Sequence, residues 1–99
     1  MSDILHRLEA VIEQRKQANS EHSYVARLYA QGLDKILKKI AEETAEVLLA
    51  AKDNDPQHLR QEMADLWFHC LVLLAKQNLR LEEIFLELQQ RFGRSGLKS

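Results

Sequence analysis

Four carboxylates fall into two short patterns in this 99-residue chain: Glu43-x-x-Glu46 and, after 15 intervening residues, Glu62-x-x-Asp65. Residues three apart on a helix share a face, so each pattern presents an acidic pair to one side if its segment is helical. If the two helices run antiparallel, the pairs can converge on one point as a cage of hard oxygen ligands. Such a cage suits Mg²⁺ or Mn²⁺, and no Cys/His cluster with zinc spacing occurs. Magnesium held by carboxylates keeps waters and takes phosphate oxygens as further ligands, which points to a nucleotide or diphosphate substrate. Polyphosphate also needs counter-charge. Lys35, Lys38 and Lys39 lie roughly one to three turns N-terminal to the first acidic pair, with Arg27 just upstream.

The competing interpretation is a solvated helix face. Glu42-Glu43-Glu46 taken alone fits it, because Lys39 with Glu43 and Lys38 with Glu42 are ordinary i, i+4 surface pairs. Glu62 and Asp65 fit it less well. At about 100° per residue they share a side of their helix with Leu66, His69 and Leu73. A carboxylate turned toward an apolar face needs a partner, a proton or a metal. On the other helix Glu43 falls at the margin of the apolar stripe and Glu46 beyond it, beside Lys35 and Lys39, with Glu42 on the outer side. His69 contacts substrate, orients a carboxylate or is a satisfied core residue. Trp67 and Phe68 read as core, and Cys70 as an inert buried thiol with no base or helix N-terminus to activate it.

The elements that must carry these residues are helices. Only 3 Gly and 1 Pro, with abundant Leu, Ala, Glu, Lys and Gln, predict an all-α fold in a single domain spanning 1–99. Ile4, Leu5, Leu8, Val11 and Ile12 form one stripe of a helix from Asp3, its predicted N-cap, to about Ala18. The polar run Gln17–Ser23 predicts a loop, and Ser23 caps a short helical segment through Tyr24, Leu28 and Tyr29 to Gly32. A long helix follows over Leu33–Lys52 with Leu33, Ile36, Leu37, Ile40, Thr44, Val47, Leu48 and Ala51 on one face. Asp55 as N-cap and Pro56 at the first helical position open the next helix, which runs to about Gln77. After Asp65 that helix is apolar nearly all round, so it needs neighbours on several sides, and a homodimer pooling helices from two copies supplies them. A last helix spans about Leu81–Phe92, and the tail 93–99 is expected to fray.

Composition narrows the function classes. With 45% hydrophobic and 29% charged residues, and no stretch near the roughly 20 apolar residues of a membrane span, no membrane partner is expected. A net charge of −1 gives no global reason to bind nucleic acid. A single cysteine allows no internal disulfide, and the N-terminus has neither the basic patch nor the apolar run of a signal peptide, so a cytoplasmic location is expected.

The ExxE…ExxD signature resembles that of the all-α, MazG-like NTP pyrophosphatases. The longer strings Ser23-Tyr24-Val25-Ala26-Arg27-Leu28, Gly32, Lys35 to Glu43, and Glu62 to His69 are similar to the phosphoribosyl-ATP pyrophosphatase branch, over nearly the whole chain. That resemblance implies a four- to five-helix bundle completed by homodimerisation. It also implies Mg²⁺-dependent hydrolysis of phosphoribosyl-ATP to phosphoribosyl-AMP and pyrophosphate, the second step of histidine biosynthesis. On this resemblance Glu43, Glu46, Glu62 and Asp65 hold the metal, and Glu42 or Glu46 accepts a proton from the water attacking between the α- and β-phosphates. Lys35, Lys39 and Arg27 offset phosphate charge, and Ser23, Tyr24 and His69 are candidates for contacting substrate. Ala41 stands where the family usually has Gly, and the tail is shorter than usual. The metal-binding cysteines of a cyclohydrolase domain fused to some relatives have no counterpart, so a stand-alone form is expected. The alternatives are a house-cleaning (d)NTP pyrophosphatase with the same metal site and a non-catalytic helical dimerisation module.

Overall fold

The computed structural model describes residues 3–93, which form five α-helices and a terminal 3₁₀ turn, with no strand among the described residues. The helices are α1 (Ile4–Arg15), α2 (Tyr24–Gln31), α3 (Leu33–Lys52), α4 (Pro56–Lys76) and α5 (Leu81–Gln90), followed by the 3₁₀ turn Arg91–Gly93. The expected fraying of the tail beyond Gly93 lies outside the described residues.

Local chemistry sets most of these boundaries. Ser23 sits in the extended region and its Oγ accepts the Ala26 N–H at 3.2 Å, opening α2. Gly32, at φ 97° and ψ 177°, lets α3 begin directly where α2 ends, a conformation nearly closed to any residue with a Cβ. The Asp55 carboxylate accepts the His58 N–H at 3.1 Å with Pro56 in the first turn. The short connection 53–55, with Asn54 at φ 55°, folds α4 back antiparallel on α3. At the far end of α4, Asn78 at φ 59° allows the Leu79 N–H to reach the Leu74 carbonyl at 2.8 Å, a Schellman closure.

Three expectations at the helix ends are corrected. Asp3 makes no side-chain cap, and only its carbonyl accepts, from the Arg7 N–H. Helix α1 stops at Arg15, with Lys16 as its C-cap and an exposed polar run from Gln17 to His22 after it. Helix α5 stops at Gln90 and tightens into the 3₁₀ turn that contains Phe92. The start of α5 is secured from two sides: the Glu83 carboxylate accepts the Arg80 N–H at 2.9 Å, and Glu9 of α1 accepts the Leu81 N–H at 2.9 Å. His6 and Glu82, 2.6 Å apart, add a second tie between α1 and α5.

The core lies between all five helices and comprises Ile12, Val25, Leu28, Ile36, Leu71, Val72, Ala75 and Leu81. Phe68 packs against it, as expected. Trp67 does not: it is 54% exposed. On α3, Leu37 and Leu48 of the predicted stripe are likewise exposed, and Ala50 is buried in their place. The physical reason is supply, since the described helices cover only part of α3 and α4 and leave apolar surface with no neighbour within the chain.

Candidate active site

Helices α3 and α4 share the most extensive helix–helix contact of the described residues, and their acidic patterns meet across it. Carboxylate oxygens of Glu43, Glu62 and Asp65 all lie within 4.8 Å of one another. A second group, Glu46, His58 and Glu62, meets the same limit, so Glu62 belongs to both. All four carboxylates of the ExxE…ExxD patterns are therefore drawn into two overlapping groups. The side chains of Glu43 and Glu62 are 13% and 16% exposed, turned into the seam between the helices. Asp65 corrects the expectation of an inward acid: it is exposed, at the rim of the α3–α4 seam.

His58 was not among the sequence candidates, yet its Nε2 stands 3.2 Å from Glu62 Oε1. The signal was present, since positions 58, 62, 65 and 69 form one i, i+4, i+7, i+11 line on α4. In sequence it was masked by the neighbouring Asp55-Pro56 start signal.

Burial pushes the Glu43 carboxyl above the ordinary carboxylate range. The Asp65 charge adds to that, His69 when protonated and Lys39 oppose it, and Glu62 raises it further. Lys39 Nζ lies 3.7 Å from both Glu42 and Glu43, the cation set most directly against the acids. Glu42 is 51% exposed and belongs to neither group. Lys35 is exposed one helical turn before Lys39, on the same side of α3.

Helix α2 supplies the remaining wall. Ser23 is buried and its oxygen is engaged as the α2 cap. Arg27 donates to the Ser20 carbonyl at 3.2 Å, and its guanidinium lies 5.8 Å from the centroid of the Tyr24 ring. The Tyr24 hydroxyl is 2.8 Å from His69 Nε2, and His69 Nδ1 is 2.8 Å from the Asp65 carbonyl. Burial raises the Tyr24 phenol above its ordinary pKa, with Lys39 and Arg27 opposing and Glu43 and Glu42 adding, so the phenol keeps its proton at neutral pH. Cys70 is half-buried and its thiol is also pushed up by burial, in keeping with an inert role. An apolar groove of about 220 Å³, lined by Trp67, Leu74, Ile84 and Leu88 among others, carries no polar group; Trp67 lies about 140° around α4 from Glu62.

An antiparallel helix pair with ExxE facing ExxD inside a five-helix chain defines the all-α, MazG-like NTP pyrophosphatase class. Within it, the family described as "Phosphoribosyl-ATP pyrophosphohydrolase" matches residues 5–92, and the chain belongs to that family. Similar proteins that carry the name phosphoribosyl-ATP pyrophosphatase include the following three. The protein from Methylococcus capsulatus is 56% identical over 96 residues, covering 97% of this chain and 91% of its own length. That from Nitrosospira multiformis is 61% identical over 95 residues, covering 96% of this chain and 78% of its own length. That from Vesicomyosocius okutanii is 53% identical over 98 residues, covering 99% and 93% respectively.

Proposed function

We propose that this protein hydrolyses phosphoribosyl-ATP to phosphoribosyl-AMP and pyrophosphate, the second step of histidine biosynthesis, in the cytoplasm and as a homodimer. The observation that carries the proposal is the meeting of Glu43, Glu62 and Asp65 within 4.8 Å in a chain of this family. Three like charges so close, one of them buried enough to hold its proton above the ordinary range, form a donor set that calls for a divalent cation. The donors are hard oxygens, which fits Mg²⁺ and also admits Mn²⁺. Glu43, Glu62 and Asp65 would hold the ion, with Glu46 beside them. When bound, the ion supplies charge neutralisation on the triphosphate and a lowered pKa for a bound water.

The chain's own groups do the rest. Lys39, with Lys35 a turn away and Arg27 on α2, offsets negative charge on the phosphates. One P–O bond between the α- and β-phosphates breaks, water adds to phosphorus, and pyrophosphate leaves. The proton released by the water goes to Glu42 or Glu46, the two carboxylates outside the tight triad. Their amide variants separate the roles: the proton acceptor loses kcat with metal affinity retained, whereas a ligand loses both.

Pyrophosphate release from phosphoribosyl-ATP, with ATP and dCTP in parallel and with Mg²⁺ or EDTA, tests the proposal. Mg²⁺-dependent release from phosphoribosyl-ATP alone is expected. Equal turnover of the simple nucleotides would move the function to nucleotide house-cleaning, and release from none would leave a non-catalytic helical module.

A further inference from the structure

His69 is 5% exposed, and each of its ring nitrogens has one partner at 2.8 Å: the Asp65 carbonyl for Nδ1 and the Tyr24 hydroxyl for Nε2. A carbonyl can only accept, so Nδ1 carries the proton, and in the neutral ring Nε2 is a bare acceptor. The Tyr24 hydroxyl must then donate to it. A phenol has one proton, and here it is committed inside the protein, so only lone pairs remain on the oxygen for anything outside.

Tyr24 nonetheless remains 38% exposed. Its ring is held in place, stacked on Phe68 at 6.1 Å and 23°, with His69 edge-on at 5.7 Å. The result is a rigidly held acceptor on a residue that is partly open to solvent, with Lys39, Glu43 and Arg27 among its electrostatic neighbours. Phosphate oxygens are themselves acceptors, so this oxygen cannot bond them. A nucleotide offers donors only on its sugar and base. The sugar is joined directly to the phosphates that the carboxylates and Lys39 would handle, which makes its hydroxyls the donors nearest to this position.

We infer that Tyr24 accepts a hydrogen bond from a ribose hydroxyl of the bound nucleotide, and that His69 is a positioning residue that fixes the Tyr24 hydroxyl as acceptor-only. The inference rests on the reading of the site as one for a nucleoside triphosphate, and its test has one arm that needs no substrate.

In that arm, nitrogen-15 NMR of the histidine rings, with the His69 signals assigned by loss in His69→Gln, should show a protonated Nδ1 and an unprotonated Nε2. Tyr24→Phe should move the Nε2 signal and leave Nδ1 nearly unchanged. A protonated Nε2, or an Nε2 signal indifferent to Tyr24→Phe, would overturn the assignment. In the kinetic arm, Tyr24→Phe should raise KM for phosphoribosyl-ATP about five- to tenfold, the worth of one hydrogen bond, with the loss falling on KM more than on kcat. His69→Leu should do the same in the wild-type background and nothing further in the Tyr24→Phe background. His69→Gln, whose amide can accept from Tyr24 and donate to the Asp65 carbonyl, should restore most of the loss. Additive effects of the two substitutions, or an unchanged KM in Tyr24→Phe, would overturn the ligand role. If phosphoribosyl-ATP is not turned over at all, the substrate reading and the ribose contact fall together, while the NMR arm still decides the Tyr24–His69 link.

Discussion

Glu43 is the residue at which stability and function pull apart. Its carboxyl is turned into the α3–α4 seam beside Asp65 and Glu62, and burial first, then those charges, raise its pKa in the folded chain. The folded state therefore binds more protons than the unfolded state between the ordinary carboxylate pKa and the raised one. Across that window stability falls as pH rises, and above it the ionised Glu43 is a standing cost to the metal-free protein. Glu43→Gln should accordingly raise the Tm of EDTA-treated protein at neutral pH, by about 2 °C for a gain of a fraction of a kcal/mol, while abolishing turnover. A lower Tm in the variant would refute this account of Glu43. Glu62, shared by both donor groups, and Asp65 carry the complementary expectation. Glu62→Gln and Asp65→Asn should each reduce Mg²⁺-dependent pyrophosphate release by roughly a hundredfold or more. Near-normal turnover in either variant would contradict the carboxylate cage.

At the scale of elements, the site depends on where α3 and α4 begin, because a shift in either start rotates its acidic pair away from the other helix. Gly32 starts α3 at φ 97° and ψ 177°, with nothing within 4 Å of the position a Cβ would take. Any cost of Gly32→Ala is thus conformational and not steric, and denaturant unfolding should register about 1–3 kcal/mol. A loss of a few tenths would mean that the backbone relaxes there without strain. Asp55 starts α4, one turn before His58 and two before Glu62. Asp55→Ala should cost about 1 kcal/mol through the lost cap on the His58 N–H, and it should also weaken metal binding if the first turn frays. Titration of the metal against both variants separates a purely global loss of stability from a local loss of site geometry.

At the scale of the whole molecule, one chain is not a closed object. Its accessible surface is 7294 Å², whereas a compact monomer of 11.5 kDa exposes about 5,800 Å². Its radius of gyration is 15.3 Å, against about 12.6 Å for a compact chain of this length. The excess coincides with large apolar side chains, among them Leu48 at 62%, Leu49 at 60% and Trp67 at 54% exposure. Light scattering at micromolar concentration should therefore return twice the mass of 11.5 kDa. Leu48→Glu combined with Trp67→Glu should shift the population to monomer. A monomeric mass for the unaltered protein would defeat the homodimer.

The helices, their order and most of their ends follow from the sequence alone, because the signals are local. Ser23 and Asp55-Pro56 act within one turn of themselves, Gly32 acts at its own dihedrals, and the i, i+3 spacing of the acids is a property of a single helix. The helix carrying ExxE, the helix carrying ExxD and the family resemblance were legible for the same reason. What only the tertiary structure decided is the rotational phase and offset of one helix against another, which periodicity does not encode. Packing of α3 on α4 made Glu62 common to two groups, brought His58 beside it and left Asp65 at the rim. Packing of α2 on α4 joined Tyr24 to His69, 45 residues apart, and packing of α1 on α5 turned Glu9 into the cap of Leu81. Trp67 lies outside the core because burial depends on how many helices one chain can supply, and that number is settled only when they pack.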